Sequence, residues 1–342
     1  MPVFVTGGTG FVGINLIRSL VSDGHQVRAL VRPTSRRVGL DPEKVEFVHG
    51  DVTDADSIRR GMEGCDQVYH LAGWVQFTPW GAETARRVNV GGTENVCRAA
   101  MESGVRRLVH TSSIAAVGRG PTDAPATEDT PWNLGGLRAP YYRTKHEAEQ
   151  VVQRYAGRGL DAVVVNPGYI VGPYDIKPTG GRLLIRIVTR RVPGYPARGG
   201  VGFVDVREVV EGMRLAMERG VRGERYVLVG ENMTYRAYVR LVARVGGVEP
   251  PKWAASYWML YPLAVGATVL GGVRPRAFAD FNMTVLRTGF CEHYVSSAKA
   301  RRSLGVKCWP IEKAVSDALN WFKQNGYVQR TSDGWRVPQR AN

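Results

Sequence analysis

Apolar and polar positions follow two different periods along this chain, and the periods alternate. Pro2-Val3-Phe4-Val5 is a continuous apolar run, as expected of a strand buried on both faces. Apolar side chains then recur at 14, 16, 17, 20 and 21, the spacing of a helix with one buried face. Gly24-His25 ends that helix. Further strands are predicted at 26–31, 45–51, 67–73, 107–113 and 162–166, with helical segments between them. Thr53-Asp54 can cap the helix after the third strand, and 89–96 begins or continues the fourth helix. Such alternation predicts an α/β fold built on one doubly wound parallel sheet. The second half is less regular. Residues 174–200, rich in Gly, Pro and Arg, are expected to form a loop with one helix. A late strand is predicted at 224–229, and Met233-Thr234 leads into a helix over 235–245. The chain accordingly divides into a core at 1–172 and a smaller mixed lobe at 173–326, whose late strands return to the core. A polar, loosely ordered tail is expected at 327–342.

One stretch fits neither period. Residues 258–273, with Tyr257 before them, form the most apolar window and carry no charge. The window is shorter than the roughly 20 residues of a spanning helix, and Pro262, Gly266 and Gly271-Gly272 interrupt it. It is expected to be a buried helix-turn element lining a substrate pocket, with peripheral membrane contact beside flanking arginines as the alternative. A transmembrane span is not expected.

Charge and cysteines narrow the partners. A net charge of +15 would suit nucleic acid, but the arginine excess is spread as pairs at 59–60, 86–87, 106–107, 190–191 and 301–302. These fall on different elements, so no basic stripe forms and no nucleic-acid partner is expected. Cys65, Cys97, Cys291 and Cys308 are scattered without a C-x-x-C, which points to reduced thiols in the cytoplasm. No metal site is expected from them or from the six histidines. With a strand predicted almost at Met1, no signal peptide is expected.

The first candidate chemistry lies between the first strand and first helix, in Thr6-Gly7-Gly8-Thr9-Gly10-Phe11-Val12-Gly13. Small residues there let the backbone approach a pyrophosphate, and the helix N-terminus supplies free N–H groups and a positive dipole end. The predicted sheet is therefore of the dinucleotide-binding, Rossmann type. At the end of the second strand, where a carboxylate would take the adenosine ribose of NAD, stands Arg32, with Arg36 and Arg37 after it. A guanidinium can pair with a 2′-phosphate, which favours NADP(H) over NAD(H).

The second lies in Pro140-Tyr141-Tyr142-Arg143-Thr144-Lys145. Pro140 suits a first helical position, and Tyr141 and Lys145, four apart, share a face. An ammonium beside the phenol is expected to lower the tyrosine pKa, so that it exchanges a proton with a carbonyl or alcohol oxygen near neutral pH. Ser113, at the end of the fifth strand, can donate a second hydrogen bond to that oxygen.

These motifs, with Gly50-Asp51-Val52-Thr53-Asp54, Tyr69-His70-Leu71-Ala72, Asn89-Val90-x-Gly92-Thr93, Thr111-Ser112-Ser113 and Asn166-Pro167-Gly168, stand in an order that resembles the extended or atypical short-chain dehydrogenase/reductase family. The resemblance covers roughly residues 2–326 and is closest to dihydroflavonol-4-reductase-like proteins. It implies that Tyr141 is the general acid/base, that Lys145 tunes it and holds the nicotinamide ribose, and that Ser113 polarises the carbonyl. Gly7, Gly10, Phe11 and Val12 would contact the pyrophosphate, and Asp51 and Val52 the adenine. Leu71, Ala72, Gly73 and Thr111 would lie along the cofactor, with Pro167 and Ile170 flanking the nicotinamide. Asn89 would either organise a proton relay or simply cap and pack its helix. Trp74, Phe77, Trp80, Tyr169 and Trp258 are candidate pocket walls. The implied activity is NADP(H)-dependent interconversion of a ketone and a secondary alcohol, by a homodimer formed through the helix of Tyr141 and the one at 90–103. The alternatives are a nucleotide-sugar epimerase or dehydratase that retains NAD, and a dinucleotide-binding redox sensor. The full Tyr-x-x-x-Lys set weighs against the sensor.

Overall fold

The computed structural model describes residues 1–75, 77–120, 122–332 and 334–338. The first half runs β1 (Val3–Thr6), α1 (Phe11–Ser22), β2 (Val27–Val31), β3 (Val45–His49), α2 (Ala55–Met62), β4 (Gln67–His70), α3 (Ala82–Arg86), α4 (Gly92–Glu102), β5 (Arg107–Thr111), α5 (Pro140–Gly157) and β6 (Ala162–Pro167). A π-helical turn, Arg87–Gly91, joins α3 to α4. Next come β7 (Tyr169–Val171), α6 (Gly181–Val188), β8 (Gly194–Pro196), β9 (Gly200–Asp205), α7 (Val206–Arg219), β10 (Arg225–Leu228), β11 (Glu231–Thr234) and α8 (Tyr235–Gly246). The chain closes with β12 (Trp253–Ala255), α9 (Tyr257–Gly271), α10 (Met283–Gly289), β13 (Glu292–His293), α11 (Ala298–Leu304), α12 (Ile311–Gln324), β14 (Gln329–Thr331) and β15 (Gly334–Arg336).

Seven parallel strands form the main sheet in the order β10-β6-β5-β4-β1-β2-β3. Alternate strand residues point to opposite faces. Val3, Val5, Val109 and Val163 therefore pack on the side of α1 and α7, while Phe4, Leu108 and Val164 meet α2, α4 and α5. Both faces being covered, the strands read as unbroken apolar runs. The strand order reverses between β1 and β4, and in such sheets a ligand crevice opens there, beyond the strands' C-terminal ends. The lobe over that edge centres on β9, which pairs with β7, β11 and β13.

Two expectations fail. The segment after Gly326 is not loose as far as it is described. β14 and β15 pair as a hairpin, and the Trp335 indole donates to the Gly246 carbonyl at 2.7 Å, a tether too distant in sequence to be read from local polarity. The end of that tail, 339–342, lies outside the described residues. The second correction is α9, which is not buried. Its stripe of Ala264, Ala267 and Gly271 packs inward, and most of its large apolar side chains face solvent. A helix apolar on all sides looks the same in sequence whether its neighbours cover one face or every face. No helix among the described residues is long and apolar enough to cross a membrane.

Candidate functional site

The β1–α1 turn is shaped by what its glycines leave room for. Gly7 adopts φ +72°, and a Cβ there would lie 2.6 Å from the Ala72 backbone nitrogen. At Gly13 a Cβ would come within 2.3 Å of the Gly7 carbonyl oxygen. The turn, the end of β4 and the first turn of α1 are thus packed backbone to backbone. Gly10 stands at the N-cap, offers no side-chain cap, and no acidic residue follows in the first turn. Phe11 and Val12 begin the helix half-exposed. This uncapped N-terminus at the crevice fits a dinucleotide pyrophosphate.

The adenosine end is as open. Arg32 and Arg36 are exposed just past β2 and carry no ion pair among the described residues, whereas Arg37 lies over the Phe47 ring at 4.5 Å. Asp51 commits Oδ1 to its own turn, accepting from the Thr53 amide at 2.9 Å and hydroxyl at 2.8 Å. Asp54, not Thr53, caps α2. Val52 turns its side chain into the core against α4 and gives its carbonyl to Asn95, so that only its backbone N–H remains for a ligand. Leu71 and Ala72 are held to Thr6 by their amides, and Gly73 comes so close to Lys145 that a Cβ would lie 3.4 Å from Nζ.

Pro140 opens α5, as its missing N–H and fixed φ favour. Tyr141 and Lys145, one turn apart, are both buried. Lys145 Nζ donates to the Thr111 carbonyl at 3.0 Å, while the Thr111 hydroxyl turns away to Met213. Thr111 therefore enters the site through its backbone. Burial pulls the Lys145 pKa down to about 8, opposed by the Glu149 carboxylate on the next turn. The expected depression of Tyr141 is not found. Burial raises its pKa, and only the nearby Ser113 hydroxyl opposes that. With its ammonium bound to a carbonyl, Lys145 does not offset the loss of water around the phenol. Ser113 also caps the short helix at 114–116, accepting from the Ala115 amide at 3.2 Å. Pro167 ends β6 and Ile170 lies in β7, where β7 meets β9.

The depressed lysine has a measurable consequence. Its folded pKa lies below the unfolded value of 10.5, so the unfolded chain binds the extra proton between pH 8 and 10.5. Stability due to this group therefore rises with pH across that window. Melting temperatures of wild type and Lys145→Met, compared from pH 7 to 10, should shift in favour of wild type above pH 8. A difference that stays flat would mean that the ammonium is not depressed.

Residues 3–229 match the model of the NAD dependent epimerase/dehydratase family. The chain belongs to this family. It is an enzyme of the extended short-chain dehydrogenase/reductase type, as its motif order implied. A Synechocystis protein provisionally named a dihydroflavonol 4-reductase is 36% identical over 334 residues, which is 95% of this chain and 96% of the relative. Sterol demethylase protein B of Methylococcus capsulatus is 36% identical over 332 residues, 96% of this chain and all of the relative. Among solved structures, gox2253 is 36% identical with a TM-score of 0.83, covering 95% of this chain and 98% of that one.

Within this family member, the motif residues Asn166 and Asn89 hold the site in place together with Glu149 and Arg225, which no motif singled out. Asn166 donates to the Ser113 carbonyl at 3.0 Å and to Glu149 at 2.7 Å, and Glu149 pairs with Arg225 at 2.9 Å. A buried polar chain thus ties the Ser113 strand end to the helix of Tyr141 and Lys145. Glu149 stands four residues after Lys145, and that spacing was the signal that could have revealed it. Asn89, in the π-helical turn, accepts from the Trp74 amide at 2.7 Å and donates to the Trp74 carbonyl and the Thr144 hydroxyl. Its bonds hold Trp74 against Thr144 of α5. Of the candidate walls, Phe77 meets Tyr141 edge-on at 5.2 Å, whereas Tyr169 packs into the core against Phe203 and Tyr238. Trp80 lies under Gly271. Trp258 borders a cavity of 380 Å³ that also exposes Arg119, Arg198, Arg287, Tyr257 and Phe290.

Proposed function

We propose that the protein is an NADP(H)-dependent oxidoreductase that interconverts a ketone and a secondary alcohol. The observation carrying this reading is Tyr141 buried one turn before Lys145 on α5, with Lys145 Nζ bound to the Thr111 carbonyl and Ser113 two residues further along that strand end, at the edge where the crevice opens. A bound nicotinamide supplies or accepts hydride at the substrate carbon. Tyr141, protonated because burial raises its pKa, gives its proton to the carbonyl oxygen, and Ser113 donates a second hydrogen bond there. Lys145, one turn away and bound to the Thr111 carbonyl, would hold the nicotinamide ribose. The uncapped start of α1 receives the pyrophosphate, and exposed Arg32 the 2′-phosphate. Asp51, Leu71, Ala72, Gly73, Pro167 and Ile170 line the cofactor's path, and α4 and α5 form the homodimer contact. A reductase name on a relative at 36% identity supports the direction of this reading.

One observation favours a second reading, the NAD-retaining nucleotide-sugar epimerase or dehydratase. Three arginines and three aromatic rings around one cavity would suit a nucleotide diphosphate. The two differ in stoichiometry. Incubation with NADPH and a panel of ketones, sterol ketones included, should consume many equivalents of NADPH per subunit. No net consumption, with conversion of a nucleotide sugar instead, would replace the first reading by the second.

A further inference from the structure

Down its axis, α9 is two-sided in contact but not in composition. Ala264, Ala267 and Gly271 are buried, with Tyr257, Leu260 and Thr268 half-buried beside them, against α10, Phe281 and Phe290. The remaining arc, roughly 200° at the helical repeat, carries Trp258, Met259, Leu263, Val265, Val269 and Leu270, all exposed. Trp258 is 76% exposed and Val269 71%, and Trp253 and Val273, before and after the helix in sequence, are 73% and 84% exposed. Thr268 spends its hydroxyl inside the lobe, donating to the Ala264 carbonyl and accepting from the Met283 amide. A contiguous apolar surface of this kind marks a contact site rather than scattered exposure.

The charges around it say what covers it. Residues 250–279 contain no Asp or Glu. Lys252 precedes the helix and Arg274 and Arg276 follow it, all exposed and without an ion pair among the described residues. Arg198 and Arg287 line the cavity beside Tyr257 and Trp258 at the start of α9. We propose that α9 docks the protein onto an anionic lipid surface, lying in the interfacial plane. Its 15 residues would extend about 22 Å, short of a hydrocarbon core about 30 Å thick. An in-plane helix instead sinks its apolar arc among the acyl chains, keeps its flanking cations at the headgroups and sets Trp and Tyr at the boundary. A second copy of the chain fits less well. A two-fold contact would set this patch against itself, bringing Lys252, Arg274 and Arg276 together with no carboxylate from that stretch to meet them. The patch is also near the candidate site, because Gly271 rests on Trp80, three residues after Phe77, whose ring touches Tyr141.

The test is flotation of the full chain with vesicles of phosphatidylcholine alone or mixed with phosphatidylglycerol. Wild type should bind the mixed vesicles at least ten-fold better than phosphatidylcholine alone, and less at high salt. The double variant Leu263→Glu/Val269→Glu should lose binding to both, and Arg274→Glu/Arg276→Glu should lose the preference for phosphatidylglycerol. Both variants alter only exposed positions and should unfold at the wild-type midpoint. Absence of wild-type binding, or equal binding by the variants, overturns the proposal. So does a wild-type oligomer that Leu263→Glu/Val269→Glu splits while vesicles are ignored, since a second copy would then be what covers the helix.

Discussion

Tyr141→Phe is expected to lower kcat/KM for ketone reduction by about 10³-fold, within the range of a lost general acid. The substitution removes one hydroxyl and keeps the ring that packs edge-on against Phe77 and Tyr142. Cofactor affinity should therefore stay within about two-fold, and the loss should appear in kcat, as for an interaction made only in the transition state. The pH dependence has a definite sign. Burial holds the phenol above its ordinary value of 10.0, so the acid form needed for reduction persists through neutral pH. Alcohol oxidation needs the phenolate, and its rate should climb as pH rises. Steady-state kinetics in both directions, with a cofactor titration of the variant, check all three points. Undiminished activity in Tyr141→Phe would remove the proton-transfer role and return attention to the redox-sensor alternative.

The second large effect is expected at Gly13. An alanine Cβ would sit 2.3 Å from the Gly7 carbonyl oxygen and 2.7 Å from the Gly8 Cα. Both obstacles are backbone, so α1 must move away from the turn rather than a side chain rotate. That displaces the uncapped N–H groups on which the pyrophosphate would rest, and NADPH affinity should fall roughly 10²-fold, close to 3 kcal/mol. Overpacking should also cost about 1–3 kcal/mol of stability. Gly91→Ala is the matched control, because nothing lies within 4 Å of its added Cβ. Fluorescence titration and thermal melts of the two variants separate these effects. A Gly13→Ala protein that binds NADPH normally would mean that the cofactor is seated elsewhere.

What could be read in advance was what local spacing controls. Unbroken apolar strands, helix-period segments and a glycine turn between them specify the parallel sheet, because each strand is buried on both faces and each helix on one. The four-residue separation of Tyr141 and Lys145 placed both on one face of α5 for the same reason. Properties set by distant neighbours were not legible. The pKa of Tyr141 depends on the water excluded around it, where Phe77 and Tyr142 pack, and on the nearby Ser113 hydroxyl. The lysine that was expected to tune it is instead bound to the backbone of β5. Exposure of α9 depends on which neighbours fail to cover it, and a uniformly apolar sequence carries no record of that. The terminal hairpin depends on one indole reaching α8. Glu149 was readable from its spacing to Lys145, but its partners Asn166 and Arg225 come from two other strands.

The proposed use of NADP(H) turns on Arg32, exposed and without an ion pair among the described residues, where a carboxylate would select NAD. The most direct measurement is titration of NADPH and NADH against wild type and Arg32→Ala. Wild type should bind NADPH at least about ten-fold more tightly than NADH, as one charge-assisted phosphate contact allows, and Arg32→Ala should abolish most of that preference. Tighter binding of NADH, or NAD(H) that stays bound through purification and does not exchange, would contradict the account.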